Sequence, residues 1–347
     1  RCIEFVHLFF CCTFATHLGN KQKTNKKTDK EMTIEAQIVS SVIEGINALY
    51  AAGIALSVDD FSRDIDRRRP SLQGETQRRE EDVPKLEGLD AKGVTTGDEL
   101  RISFRNGDTR SKDYSHLKRQ PRPSHADLVQ RRKWGEEYNL AGGGIASGRM
   151  TVALVAAGVV AKKILDSATF STRLVEVGGE KDSARFEEVI ASAKRDGDSV
   201  GGVVECRVSG VEALLGEPFF DSAESIIAHL LFSIPAVKGV EFGDGFEGAR
   251  KRGSERNDVI INADGKTATN NEGGINGGIT NGNDIVVRVA IKPTPSIARE
   301  QQTFDFESGR VASLTIGGRH DACIARRGAV VVEAVVALAL ADLKLRR

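Results

Sequence analysis

Two histidines stand in settings that suit proton transfer. His125 lies in PRPSHAD and His320 in GRHDA, each with an arginine nearby and an aspartate just after it. Imidazole titrates near neutral pH, so a histidine so placed can carry a proton in a reaction run there. Arginines gather in three places: Arg67, Arg68 and Arg69 before Pro70; Arg119, Arg122, Arg131 and Arg132, with Lys133, around PRPSHAD; and Arg319, Arg326 and Arg327 around HDACIA. Guanidinium forks match phosphate and carboxylate oxygens. Taken singly, each cluster is also what a solvated surface looks like; together they point to a small polyanionic ligand. The stretch NNEGGINGGITNG at 270–282 is rich in glycine. Glycine serves positive φ and close approach to the backbone, and the stretch reads as a ligand bed.

Other chemistries lack their residues. There is no HExxH and no Cys/His set with metal spacing. The cysteines, at 2, 11, 12, 206 and 323, are odd in number and form no CxxC, as expected of free thiols in a reducing compartment. Gly243-x-Gly245-x-x-Gly248 has dinucleotide-fingerprint spacing, but ARKRGSERND behind it is too charged and glycine-broken to be the packed helix that fingerprint needs. GKT at 265–267 lacks the P-loop glycine, because position 260 is Ile. The chain carries 49 basic and 49 acidic residues, so no global field draws it to nucleic acid or to a membrane. Aromatics are 5% and do not interleave with the arginines, which argues against a base-stacking surface.

The elements that must position these groups alternate along the chain. SVDDFSRDIDRRRP predicts a short helix with a serine cap, acids in its first turn and a proline stop. ELRISFRNGD alternates and then turns at Asn-Gly, as a strand does. MTVALVAAGVVAKKIL (150–165) and RRGAVVVEAVVALALADLKL (326–345) are apolar on nearly all sides, which predicts helices buried between layers. DSARFEEVIASAKRDG and DSAESIIAHLLFSI read as helices; GGVVECRVSG, VKGVEF and DIVVRVAI read as strands. The strands are amphipathic more often than continuously apolar. That favours an α+β fold with antiparallel sheets packed on helices over a doubly wound parallel sheet. At the start, RCIEFVHLFFCCTFATHLGN is broken by Glu4 and His7 and is short for a bilayer span, so we expect a cytoplasmic protein.

Read in order, the loops resemble one family. DRRRP, TQRRE, GVTTG, TRSKDYSHLK, PRPSHADL, GGGIASGRMT, GDSVGGVVEC, LGEPFFDSAESIIAHLLFSIPAVKGVEFGDGF, RGSERND, NNEGGINGGITNG, AIKPTPSI and GRHDACIARRGAVVVEA are similar to the motifs of chorismate synthase. They cover residues 38–345 or so. We therefore divide the chain into a divergent segment with a basic insertion, 1–37, and a chorismate synthase-like domain, 38–347. The resemblance implies a single-domain βαβ sandwich, antiparallel sheets around central helices, assembled as a homotetramer. It implies a phosphorylated small-molecule substrate, 5-enolpyruvylshikimate-3-phosphate, which loses phosphate in a 1,4-anti elimination to give chorismate. It implies reduced FMN as cofactor, allows NADPH as reductant, and implies no metal.

Site residues follow from the same resemblance. His125 and Asp321 match the family's proton-handling residues, and His17, in FATHLG, is the nearest match to a second histidine. Ser147, Arg149, Ala236, Gly277 and Arg319 match flavin-contacting positions, with Gly277 at the contact in the glycine-rich loop. Lys292, Pro293, Thr294, Pro295 and Ser296, the KPTPS run, match the loop that takes the flavin phosphate. Arg68 matches an arginine assigned to NADP or the substrate anion. The chain departs from the family pattern where GESHG becomes ATHLG, where Ile145 stands for a polar residue, and where HDACIARRGA has lost two prolines. Those departures leave a second reading open, a relative that binds flavin without turnover.

Overall fold

The computed structural model describes residues 32–38, 53–70, 75, 81–98, 100–106, 117–135, 146–317 and 320–347. Its helices are α1 (Asp59–Arg68), α2 (Asp127–Trp134), α3 (Thr151–Ile164), α4 (Phe186–Arg195), α5 (Ala223–Leu231), α6 (Gly245–Gly248), α7 (Gly253–Arg256) and α8 (Ile324–Leu345). Its strands are β1 (Met32–Ile38), β2 (Pro84–Glu87), β3 (Leu100–Asn106), β4 (Thr169–Val177), β5 (Gly202–Ser209), β6 (Val237–Phe242), β7 (Ile275–Asn276), β8 (Ile279–Thr280), β9 (Ile285–Ile291), β10 (Gln301–Asp305) and β11 (Arg310–Leu314). One antiparallel sheet has the order β4-β5-β9-β6, and a second has β1-β3-β2. Strand β1 crosses the boundary drawn at residues 37 and 38.

Helices fill the space between the sheets. Helix α8 packs on β4, β5 and β9 on one side and on α3, α5 and α1 on the other; α3 reaches β1 and β3. This is the sandwich expected from two helices without a polar face. Residues 151–161 of α3 are all buried. At the crossing, Gly158 meets Ala334, and a Cβ there would run into the Ala334 Cα and Cβ. A mid-helix glycine costs about 1 kcal/mol against alanine; here it lets two backbones close to contact.

A partly buried ionic cluster ties the helices together. Arg67 donates to both oxygens of Glu333, at 2.7 Å each, and to Asp64 at 3.1 Å; Lys162 bridges Asp64 and Glu333. Burial pushes the Glu333 carboxyl up, but Arg67 and Lys162 together outweigh it and hold it at about 2.

On the outer face of the larger sheet, cross-strand partners form a row of alternating charge: Arg173, Glu205, Arg288 and Glu241, one from each strand. Arg173 Nη2 and Arg288 Nε donate to the two Glu205 oxygens at 3.0 and 2.8 Å. Opposite charges set across a ladder stabilise the pairing.

Two local expectations need adjustment. Ser222 caps α5, accepting from Ser225 N–H at 3.1 Å, but Ser57 does not cap α1 by accepting. Its N–H and hydroxyl instead donate to Asp60 Oδ2, at 2.7 and 3.0 Å. Three glycines of 270–282 serve close packing. A Cβ on Gly273 would strike Gly243, one on Gly274 would lie 2.5 Å from Asp284 O, and one on Gly278 2.7 Å from Ser222 Cβ. The dinucleotide-like spacing and the segment behind it form only α6 and α7, four residues each.

Candidate functional site

A cavity of about 320 Å³ opens where the ends of several elements meet. Pocket volumes of a few hundred Å³ suit small ligands. The end of α1 brings Arg68; the loop entering α2 brings Arg122, Ser124 and His125; the short turn before α3 brings Ser147 and Arg149. The link from α5 to β6 supplies Ile234, Pro235 and Ala236, the exit of β9 supplies Lys292, Thr294, Pro295 and Ser296, and the start of α8 supplies Asp321, Ile324, Arg327, Gly328 and Val331. The floor, of Ile234, Ile291, Ile324 and Val331, is apolar. Gly328 permits it, because a Cβ there would lie 2.8 Å from Ile291 Cδ1.

The walls are cationic. Arg68, Arg69, Arg122, Arg149, Lys292 and Arg327 line the cavity, against Asp82 and Asp321 on the wall. Arg68 shows the strain of that excess. Burial first, then the neighbouring Arg149 and Arg327 charges, lower it to about 9, against the opposing pull of Asp82 and Asp321. An anion in the cavity would relieve this crowding. Arg68 is itself largely spoken for: Nε donates to Thr151 Oγ1 (3.1 Å), Nη1 to Asp82 (3.3 Å), and Nη2 to the carbonyls of Gly148 and Arg149 (3.0 Å each). Its hydrogen bonds shape the wall, and most of its donor capacity is committed to the protein. Arg149 pairs with the other Asp82 oxygen at 2.6 Å.

The PRPSHAD loop folds on itself. Asp127, first residue of α2, accepts from Arg122 at its backbone N–H (3.0 Å), Nε (2.8 Å) and Nη2 (2.7 Å). His125 Nδ1 lies 2.7 Å from the same carboxylate. Burial would raise the Asp127 carboxyl, but Arg122 and His125 overcome that and hold it well below the usual range. Ser124 adopts φ +56°, the left-handed turn that swings the histidine round, and its carbonyl accepts from Lys292 Nζ at 2.6 Å. A further Arg122 contact, Nη1 to Ser296 Oγ at 2.9 Å, ties this loop to the KPTPS run.

KPTPS carries the clearest mark of a missing partner. Thr294 Oγ1 is buried without a hydrogen bond among the described residues. An orphaned hydroxyl is costly, and this one sits between Lys292 and Ser296. That set of donors fits a phosphate, and the apolar floor beside it fits a flat ring, so the residues suit FMN. Burial, then the charge of Lys238, lowers the pKa of Lys292; a bound anion would oppose that shift. Ala236 has φ +77°, uncommon for a residue with a Cβ, and its carbonyl accepts from Lys292 N–H at 3.0 Å.

Of the residues expected from the sequence, Arg68, His125, Ser147, Arg149, Ala236, Lys292, Thr294, Pro295, Ser296 and Asp321 line this cavity. Pro293 is exposed and outside it. Gly277 lies apart from them. It sits in the β7–β8 turn, exposed and away from the cavity, and a Cβ on it would meet nothing. Its φ of +59° explains the glycine by turn geometry. His17 and Arg319 lie outside the described residues. Sequence reasoning passed over Asp82 as a site residue and took Asp127 only as a neighbour of His125; the signal for the latter was the His-x-Asp spacing at a helix start. Among the described residues, no group of three or more His, Cys, Asp or Glu side chains could hold a metal ion, and no helix is long and apolar enough to cross a membrane.

Comparison with known proteins gives a consistent result. The family model described as chorismate synthase matches residues 35–345. A chorismate synthase of Chitinophaga pinensis is 52% identical over 295 residues, covering 85% of this chain and 88% of its own. One from Korarchaeum cryptofilum is 44% identical over 336 residues, covering 88% and 91%. A solved structure titled "Crystal Structure of Chorismate Synthase" superposes with a TM-score of 0.61 at 27% identity, covering 84% of each chain.

Proposed function

The chain belongs to the chorismate synthase family, and from that premise we propose that it eliminates phosphate from 5-enolpyruvylshikimate-3-phosphate to form chorismate, with reduced FMN held in the arginine-walled cavity. The observation that carries this reading is the meeting of PRPSHAD, KPTPS and HDACIARRG at one cation-rich cavity, with an orphaned threonine hydroxyl on its wall.

Lys292, Thr294 and Ser296 would hold the cofactor phosphate, and Ala236 with the apolar floor would take its ring. When bound, reduced flavin lends electron density to the breaking carbon–oxygen bond and takes it back, with no net redox change. The chain's own residues supply the remainder. Arginines on the wall allow two anions to share a small space, and fixed charges that need not reorganise are the kind that lower a barrier most. His125, held by Asp127, handles one proton. We assign the second proton-handling position to Asp321, whose carboxylate accepts from Arg327 Nη1 at 2.9 Å. We read the assembly as a cytoplasmic homotetramer, with NADPH able to serve as reductant.

The test is an anaerobic assay with substrate and dithionite-reduced FMN, followed by chorismate absorbance. We expect multiple turnovers per chain. FMN binding without chorismate would overturn the activity and mark a relative that keeps only the flavin site, the reading prompted by ATHLG in place of GESHG.

A further inference from the structure

His125 has two ring nitrogens, and the tautomer decides which one carries the proton. Two groups compete for Nδ1: Asp127 Oδ1 at 2.7 Å and Arg122 Nη2 at 3.1 Å. Nδ1 must donate to the first or accept from the second. The carboxylate contact is shorter, and an imidazole lone pair aimed at it would be repelled, so Nδ1–H to Asp127 wins. Arg122 loses little by this, because it still donates to both Asp127 oxygens and to Ser296. The Asp127 side chain is fully buried and pinned by three Arg122 donors, so it cannot swing away.

We propose that Asp127 is the positioning residue of this site: it locks His125 in the Nδ1–H tautomer and leaves Nε2 as the proton-accepting atom turned to the cavity. A proton released in the elimination would add to Nε2 and give an imidazolium whose charge faces Asp127. The arrangement is the logic of a histidine oriented by a buried carboxylate, with Arg122 added as a clamp that joins it to the KPTPS loop. The role of that proton rests on the proposed function; the tautomer does not.

The experiment is long-range ¹⁵N–¹H NMR on histidine-labelled protein without flavin or substrate, with His125→Gln to assign the signal. We expect the Nδ1–H pattern for His125 in the wild type. In Asp127→Asn the amide can donate to Nδ1, so the pattern should invert to Nε2–H. Turnover should fall about a hundredfold or more, while FMN affinity stays within about threefold, well under the loss expected for a charged hydrogen bond. Asp127→Glu should restore the wild-type ring pattern and part of the turnover. An Nε2–H pattern in the wild type, or no change in Asp127→Asn, overturns the assignment. Should the asparagine variant fail to fold, the wild-type spectrum alone decides. A protein with the Nδ1–H pattern that forms no chorismate would defeat the proposed activity and leave this assignment standing.

Discussion

At Thr294 the hydroxyl oxygen is buried and lacks a partner among the described residues, on the wall that also carries Lys292. A buried unsatisfied group of this kind costs roughly 1–3 kcal/mol. Valine has the same shape without the oxygen. Thr294→Val should therefore leave the free protein as stable as the wild type or more so, by up to about 1 kcal/mol, while weakening FMN about tenfold. Fluorescence titration and urea unfolding check the pair of effects; lower stability with unchanged FMN affinity would make the hydroxyl structural. Individual side chains differed in how far their neighbours in sequence betrayed them. His125 was visible because its orienting carboxylate is two residues away. Gly277 is harder to read, because a glycine kept for a turn and a glycine kept for a ligand look alike in sequence. Arg68 was visible as a cation, but its commitment to Thr151, Asp82 and two carbonyls depends on residues 14 to 83 positions away.

Among the elements, α3 and α8 were the plainest to read, since a helix apolar all round has only one stable place. What their sequences hid was the contact between them. Gly158→Ala would gain about 1 kcal/mol of helix propensity, but overpacking a closed contact costs about 1–3 kcal/mol. The clash is with Ala334 backbone as well as side chain, so the loss should prevail. A lower urea midpoint with an unchanged slope is the expected result. Glu333 was equally hidden, an acid in an apolar run whose partners Arg67 and Lys162 lie 266 and 171 positions away. Its folded-state pKa of about 2 lies below the ordinary 4.5. The stability it contributes is therefore full above the ordinary value and is lost as pH falls through the folded one. Between about pH 4.5 and 2 that is worth roughly 3 kcal/mol. Glu333→Gln should cost about 1.5–3 kcal/mol at neutral pH, because it removes the buried carboxylate that Arg67 and Lys162 both contact. It should also flatten the acid limb of a stability–pH profile over that window.

For the molecule as a whole, alternation along the strands was enough to choose antiparallel sheets on helices, and the buried helices were enough to put them in the middle. The cavity was not legible that way, because periodicity says which face is buried and nothing about which chain ends coincide. Residues 68, 125, 147, 236, 292 and 327 meet there although they span most of the chain. Only the order of matched motifs indicated that they belonged together. A ligand that touches so many separate stretches can bind only when all are in place. Saturation with FMN at a hundred times its dissociation constant should stabilise the fold by about 2.7 kcal/mol. For a chain this long that is roughly 4 °C in midpoint, read by thermal unfolding; no shift would separate the cavity from flavin. One last consequence lies on the opposite side of the sheet. If β9 slid by two residues against β5, Arg288 would confront Arg207 or lose its acid altogether, and a slide by one would turn every side chain over. The salt-bridged row therefore works as a vernier, and its zero mark decides where Lys292, one residue past the strand, comes to rest.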